Sequence, residues 1–271
     1  MQHRRALTIS LGVLPLGFLD QARAVAVDSE IVLLVDAARP GLSQTSYTRL
    51  MSSYATAFTS NQILTSIQSG STGRIAVSLM FYGTTSSQRV GIPWMMIGNL
   101  SQAEDFATMS RNLAFPTTLT GTADVGSALT AATRTFGTET GNTGNGYESA
   151  VQIIEVATSR SPITRLRNSA ISNSDNALAS GVDLINSMIL GTGKAAVSSF
   201  YQTNVIGSTL SGINATSSIG QLNNTLSTSM RGQLTRTIQS GATSSAAAIP
   251  EPSTWLTMLP AAIFIWKRKR N

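Results

Sequence analysis

The 271-residue chain contains no cysteine and a single histidine, His3. Without thiols there is no disulfide, no thiolate metal centre, no iron–sulfur cluster and no cysteine nucleophile. His3 lies in a segment that reads as a removable leader, so the mature chain has no imidazole either. That excludes Ser-His-Asp and Cys-His mechanisms and ordinary zinc or copper sites. Charge is scarce too, at 12% of residues, and hydroxyls take its place, with 69 serines and threonines. Apolar residues make up 42%, enough for a buried core, and the length suits one large domain or two small ones.

The formal net charge of +6 suggests nucleic acid only until it is located. Arg4, Arg5 and Arg23 lie at one end and Lys267 to Arg270 at the other. Between Val27 and Pro250 there are 12 basic and 11 acidic residues, about +1. The basicity belongs to the ends, and no nucleic-acid partner is expected.

Both ends read as addresses. Arg4-Arg5 is followed by an apolar run from Ala6 to Leu19, then by small residues at Ala22, Ala24 and Ala26. This is a secretory signal peptide over residues 1–26, cut after Ala26 or after Ala24. Its apolar run of about 14 residues, interrupted by Pro15, is short of the ~20 that span a bilayer. At the other end, residues 250–271 comprise Pro250-Glu251-Pro252, a short apolar segment from Trp255 to Trp266, and Lys267 to Arg270. A turn, an apolar segment with interfacial tryptophans and a positive stop follow in order. The arrangement resembles the PEP-CTERM sorting signal of Gram-negative bacteria. That resemblance implies an exosortase-type processing enzyme as partner and transient membrane association through this segment. It also implies removal of the tail and release to the cell surface or matrix. Residues 239–249, rich in Ser, Ala, Gly and Thr, read as a flexible linker.

The body, 27–238, alternates strand and helix patterns. Glu30–Asp36 is a continuous apolar run ending in an acid, as expected of a strand buried on both faces. Ser43 is placed to cap a helix carrying Tyr47, Leu50, Met51, Tyr54 and Phe58 on one face. Arg74–Tyr82 and Gln88–Met96 read as a strand hairpin, with Pro93 marking an edge. Helices are expected from Ser101 to Leu113 and from Gly121-Thr122 onward, then a strand over Ala150–Val156. Asn168–Ser180 is expected as a helix, Val182–Leu190 as a strand, Ala195–Tyr201 as a short helix and Ser217–Ile238 as a long one. The order predicts a single-domain α/β fold, a doubly wound, mostly parallel sheet with one antiparallel edge strand.

These pieces resemble von Willebrand factor A (vWA) domains, and within them an exported bacterial family of unknown function. The matching stretches include Glu30–Asp36, Gly73–Val77, Gln88-Arg89-Val90 with Ile92-Pro93-Trp94, Gly121-Thr122-Ala123, Ala179–Asn186 and Tyr201–Gly207. The resemblance implies a ligand site at the carboxyl ends of the strands. In vWA domains that site holds Mg²⁺ with Asp-x-Ser-x-Ser, a Thr and an Asp, because a hard cation takes oxygens in an octahedron. Here Asp36 and Thr122 match, but the serine positions are Ala38 and Pro40, and the third-loop acid aligns with Ser159. Two of five ligands survive, so no cofactor is expected beyond at most weak Mg²⁺. Asp36, Thr122 and Asp124 remain as relic binding residues, each with a plainer role available as a turn or helix cap. An unpaired buried Asp36 needs a counter-charge, and Arg39 and Arg160 are the candidates. Glu155 is an acid in an apolar run, expected where its strand leaves the sheet.

The reading is a non-enzymatic, exported binding or structural protein of the matrix or biofilm, with a degenerate metal-ion-dependent adhesion site. Its ligand would be an extracellular protein or polysaccharide. A metal-dependent adhesive module with an altered site, and a hydrolase built on carboxylates alone, are the alternatives.

Overall fold

The strand expected at Glu30–Asp36 is the middle of the sheet, and all seven of its residues are buried. The computed structural model describes residues 24–248 apart from Pro40. In chain order its elements are β1 (Val25–Ala26), β2 (Glu30–Asp36), α1 (Gln44–Phe58), α2 (Asn61–Gln68), β3 (Ile75–Tyr82) and β4 (Gln88–Ile97). Then follow α3 (Leu100–Asn112), α4 (Val125–Thr133), a 3₁₀ helix (Arg134–Thr140), β5 (Tyr147–Glu148), β6 (Gln152–Thr158) and α5 (Thr164–Ala179). The remainder is β7 (Leu184–Leu190), α6 (Ala195–Asn204), β8 (Gly207–Ser208), β9 (Ser217–Gly220) and α7 (Leu226–Ala248).

The sheet runs β4-β3-β2-β6-β7-β8. β3, β2, β6 and β7 are parallel, and β4 is the expected antiparallel edge. On the other edge two short strands share β7, β8 antiparallel along its start and β9 parallel along its end. Side chains alternate across β2. Ile31, Leu33 and Val35 pack toward α1, α2, α3 and α7, while Val32 and Leu34 pack toward α4, α5 and α6. Val32, Leu34, Ile75, Val77, Ile153 and Leu184 are each 1% exposed or less, as a doubly covered sheet requires. This is the doubly wound α/β fold that the element order predicts, vWA-like as the resemblance implies.

Several boundaries differ from the sequence reading. Ser217–Ile238 is not one helix: Ser217–Gly220 pairs with β7, and the helix starts at Leu226. That helix runs on to Ala248, through residues expected as a linker. Alanine favours helix, and Gly241 packs against Ser29 and Ile153 with too little room for a side chain. α3 is capped by Asn99 rather than Ser101, and α4 by Asp124 rather than Thr122. At the N-terminus, Val25 and Ala26 belong to the fold. They pair with β5, with Val25 N donating to Gly146 O at 2.9 Å and Val27 N to Glu148 O at 2.9 Å. Residues 1–23 of the expected leader and the whole Pro250-Glu251-Pro252 segment lie outside the described residues.

Two acids sit inside the packing. Glu155 is in the middle of β6, not at a strand exit, and accepts from Thr237 Oγ1 (3.1 Å) and Gln233 Nε2 (3.4 Å) of α7. Burial pushes its pKa up to about 7, although these donors and the nearby Arg236 charge pull it back. At the start of β2, Glu30 accepts from Asn145 Nδ2 and from Ser149 Oγ (3.0 Å). Burial, reinforced by the neighbouring Glu139, pushes Glu30 up to about 8. The folded chain therefore keeps these protons to a higher pH than the unfolded chain, where the ordinary value is 4.5. Unfolding releases protons in that window, so this stability is fully present below about pH 4.5 and is lost as pH rises through about 7 to 8. Denaturant midpoints measured from pH 4.5 to 9 should fall across this range and then level off, and Glu30→Gln should flatten the slope.

Candidate functional site

β2 ends at Asp36 beside the end of β6, so the loops after the two strands meet at the carboxyl edge of the sheet. Asp36 is 1% exposed, and a carboxylate so placed is costly unless it is paired. Arg160, two residues beyond β6, pairs with it. Its Nη2 lies 3.0 Å from Oδ1 and its Nε lies 3.4 Å from Oδ2. Thr158 Oγ1 donates to Oδ2 at 2.9 Å, and Ala38 N donates to Oδ1 at 3.1 Å. Arg160 Nη2 also donates to the Ala38 carbonyl at 2.7 Å, so one guanidinium ties the β2 loop to the β6 loop. The loop closes tightly around it. A Cβ at Gly41 would stand 2.5 Å from Arg160 Nη2, so only glycine fits there. Beneath the pair lie the buried phenols of Tyr82 and Tyr201. Burial, then neighbouring negative character including Asp36, raises both pKa values, so they stay neutral.

The other candidates are placed differently. Arg39 is not on Asp36; its guanidinium stacks over Phe115, 4.9 Å from the ring centroid. Thr122 is not a helix cap and instead lines a cleft of about 310 Å³ together with Arg39, Arg160 and Ile163. Asp124 has both oxygens engaged, Oδ1 by Ser127 N (3.1 Å) and Oδ2 by Thr85 Oγ1 (2.8 Å), which makes it the N-cap of α4. Ser159 donates to Gly41 O at 3.3 Å. Thr158 and Gly41 are site residues that sequence reasoning missed, since neither matches a motif.

The Mg²⁺ implied by the vWA resemblance does not fit this donor set. Ala38 has no side-chain oxygen, and both oxygens of Asp36 already accept from hydrogen-bond donors. The positive charge such an ion would supply is present as a guanidinium, and a cation beside it meets like charge. Among the described residues no group of three or more His, Cys, Asp or Glu comes together.

Because Asp36 is buried and Arg160 is 28% exposed, removing the arginine strands the acid. Arg160→Ala should cost about 3 kcal/mol, the lower end of the range for breaking a buried pair. Asp36→Asn with Arg160→Ala should recover part of that loss in a double-mutant cycle by urea denaturation. Arg39→Ala should cost no more than about 1 kcal/mol, since an exposed cation–π contact is weak.

Residues 26–247 match the family described as "Protein of unknown function (DUF1194)". No curated protein matches the chain. Among solved structures, the chain is similar to proximal thread matrix protein 1 from the mussel byssus, at 13% identity and a TM-score of 0.50. That match covers 79% of this chain and 49% of that one. It is similar also to the pilus adhesin SpaC from Lactobacillus rhamnosus GG in its open conformation, at 13% identity and a TM-score of 0.50. Here it covers 80% of this chain and 30% of that one. The chain thus spans half or less of either protein, and at such identity the likeness is one of fold. The family match takes in every strand of the central sheet, and the chain belongs to the DUF1194 family.

Proposed function

We propose that this is an exported, non-enzymatic vWA-like protein that binds or builds in an extracellular matrix or biofilm, through a metal-ion-dependent adhesion site that has become metal-free. The observation that carries the reading is the Asp36–Arg160 pair, which supplies internally the charge that a bound cation would otherwise bring. Thr122 lines the adjoining cleft, and Asp36 and Asp124 serve as structural groups of the same loops. A matrix protein and a pilus adhesin among the structural neighbours support a binding or scaffolding role over catalysis. The absence of cysteine and of any histidine beyond His3 supports it too. Export rests on the leader. Sorting rests on Pro250, Glu251 and Pro252, with an exosortase-type enzyme as the processing partner and a transiently membrane-associated tail.

Calorimetry with millimolar Mg²⁺ or Mn²⁺ should show no binding heat. Micromolar affinity would replace this reading with a metal-dependent adhesive module. The fold also bears on processing, because cleavage after Ala26 would discard β1, whereas cleavage after Ala24 keeps its ladder to β5. Intact mass of the protein recovered from culture medium should therefore give a chain starting at Val25 and ending near Pro250. A full-length chain confined to the cytoplasm would overturn export.

A further inference from the structure

The cleft beside Asp36–Arg160 is not isolated. It shares Arg39 with a second cleft of about 390 Å³, lined also by Ser43, Gln44 and Phe115. That one shares Gln44 with a third, of about 470 Å³, lined by Thr45, Thr48, Arg49 and Ser52 along the first turns of α1. The shared residues make one track from the carboxyl edge of the sheet onto α1. Three guanidinium groups follow it: Arg160, whose charge is taken up by Asp36, then Arg39 and Arg49, and among the described residues no Asp or Glu lines any part. Asp36, at the Arg160 end, is buried and paired with that arginine. The first turns of α1 and α5 carry no acid either, leaving their positive ends uncompensated.

Each arginine is held before any ligand arrives. Arg160 is fixed on Asp36, Arg39 is stacked on Phe115, and Arg49 donates to the Leu222 carbonyl. Pre-positioned guanidinium groups lose little rotamer freedom on binding and match carboxylates well. Between them the lining is hydroxyl and amide, which donates and accepts at once, as the hydroxyls of a sugar do. Spaced positive charges, hydroxyl- and amide-bearing side chains and an extended open shape complement a ligand with repeating negative charge and many hydroxyls. Apolar side chains along the track are few among the described residues: Ala123 and Ile163 at one end, then Leu42 and Phe115, whose ring already carries the Arg39 guanidinium, so few pockets remain for the side chains of a peptide.

We propose that this track binds a linear, uronate-bearing polysaccharide without metal. The proposal rests on the metal-free reading above and names its ligand class. The test is calorimetry of the mature chain with hexagalacturonate, maltohexaose and a hexaglutamate peptide, in EDTA and again with Mg²⁺. Hexagalacturonate should bind in EDTA, weaken at least tenfold from 50 to 300 mM NaCl, and exceed both other probes at least tenfold. Arg39→Gln and Arg49→Gln should each weaken it about tenfold while lowering the melting temperature by no more than about 4 °C, and Arg39→Lys should restore part of the loss. Equal binding of maltohexaose or hexaglutamate, or indifference to both substitutions, would overturn the proposal. No binding in either buffer would overturn the track while leaving the metal-free reading intact. Binding that appears only with Mg²⁺ would overturn both.

Discussion

A carboxylate taken out of water requires a positive partner, and at the end of β2 that partner is the chain's own Arg160. Much of the carboxyl edge of the sheet follows from this one pair. The β2 loop turns so that Ala38 offers its N–H to Asp36 and its carbonyl to Arg160. The chain passes over the guanidinium at Gly41, where a side chain has no space. Thr158 closes the last strand residue of β6 onto the same carboxylate. One planar fork with fixed donor directions bridges the two loops.

The strands of this fold were legible because a doubly covered sheet leaves continuous apolar runs. Glu30–Asp36 carries that mark on every residue. Helical spacing was less discriminating. Ile219 and Leu222 fit the same periodic face as Leu226, yet Ile219 lies on an edge strand beside β7 and Leu222 in the loop that follows. Composition misled at the C-terminal end of α7, where Ser, Gly and Thr among the alanines suggested a linker. What keeps this stretch helical is tertiary packing, with Ile238 and Ala242 buried. α2, two turns long, gives too few repeats for a period to show. Glu155 went astray for a related reason. Its buried partners, Gln233 and Thr237, are about eighty residues away in sequence, and only folding brings them beneath it.

The site was legible in its charges and not in its geometry. A buried acid with missing ligands called for a cation, and two arginines were near enough in sequence. Spacing alone does not separate a loop arginine that turns inward from one that lies flat on a phenylalanine. The difference is made by Phe115, which offers Arg39 a ring face far along the chain, and by Gly41, which leaves Arg160 room. The track along α1 left no trace in the sequence, since serine, threonine and glutamine are common everywhere in this chain.

The buried acids have a consequence for the molecule as an electrical object. Between Val27 and Ala248 the formal count of charges gives about +1. With Glu30 and Glu155 holding protons inside the fold, that figure becomes about +3 at pH values below 7. Below that pH the folded domain therefore carries a more positive field than its formula shows. A polyanion approaching the domain would be drawn by that field before any contact forms. As pH rises and the interior acids ionise, the same field weakens without a single surface residue changing.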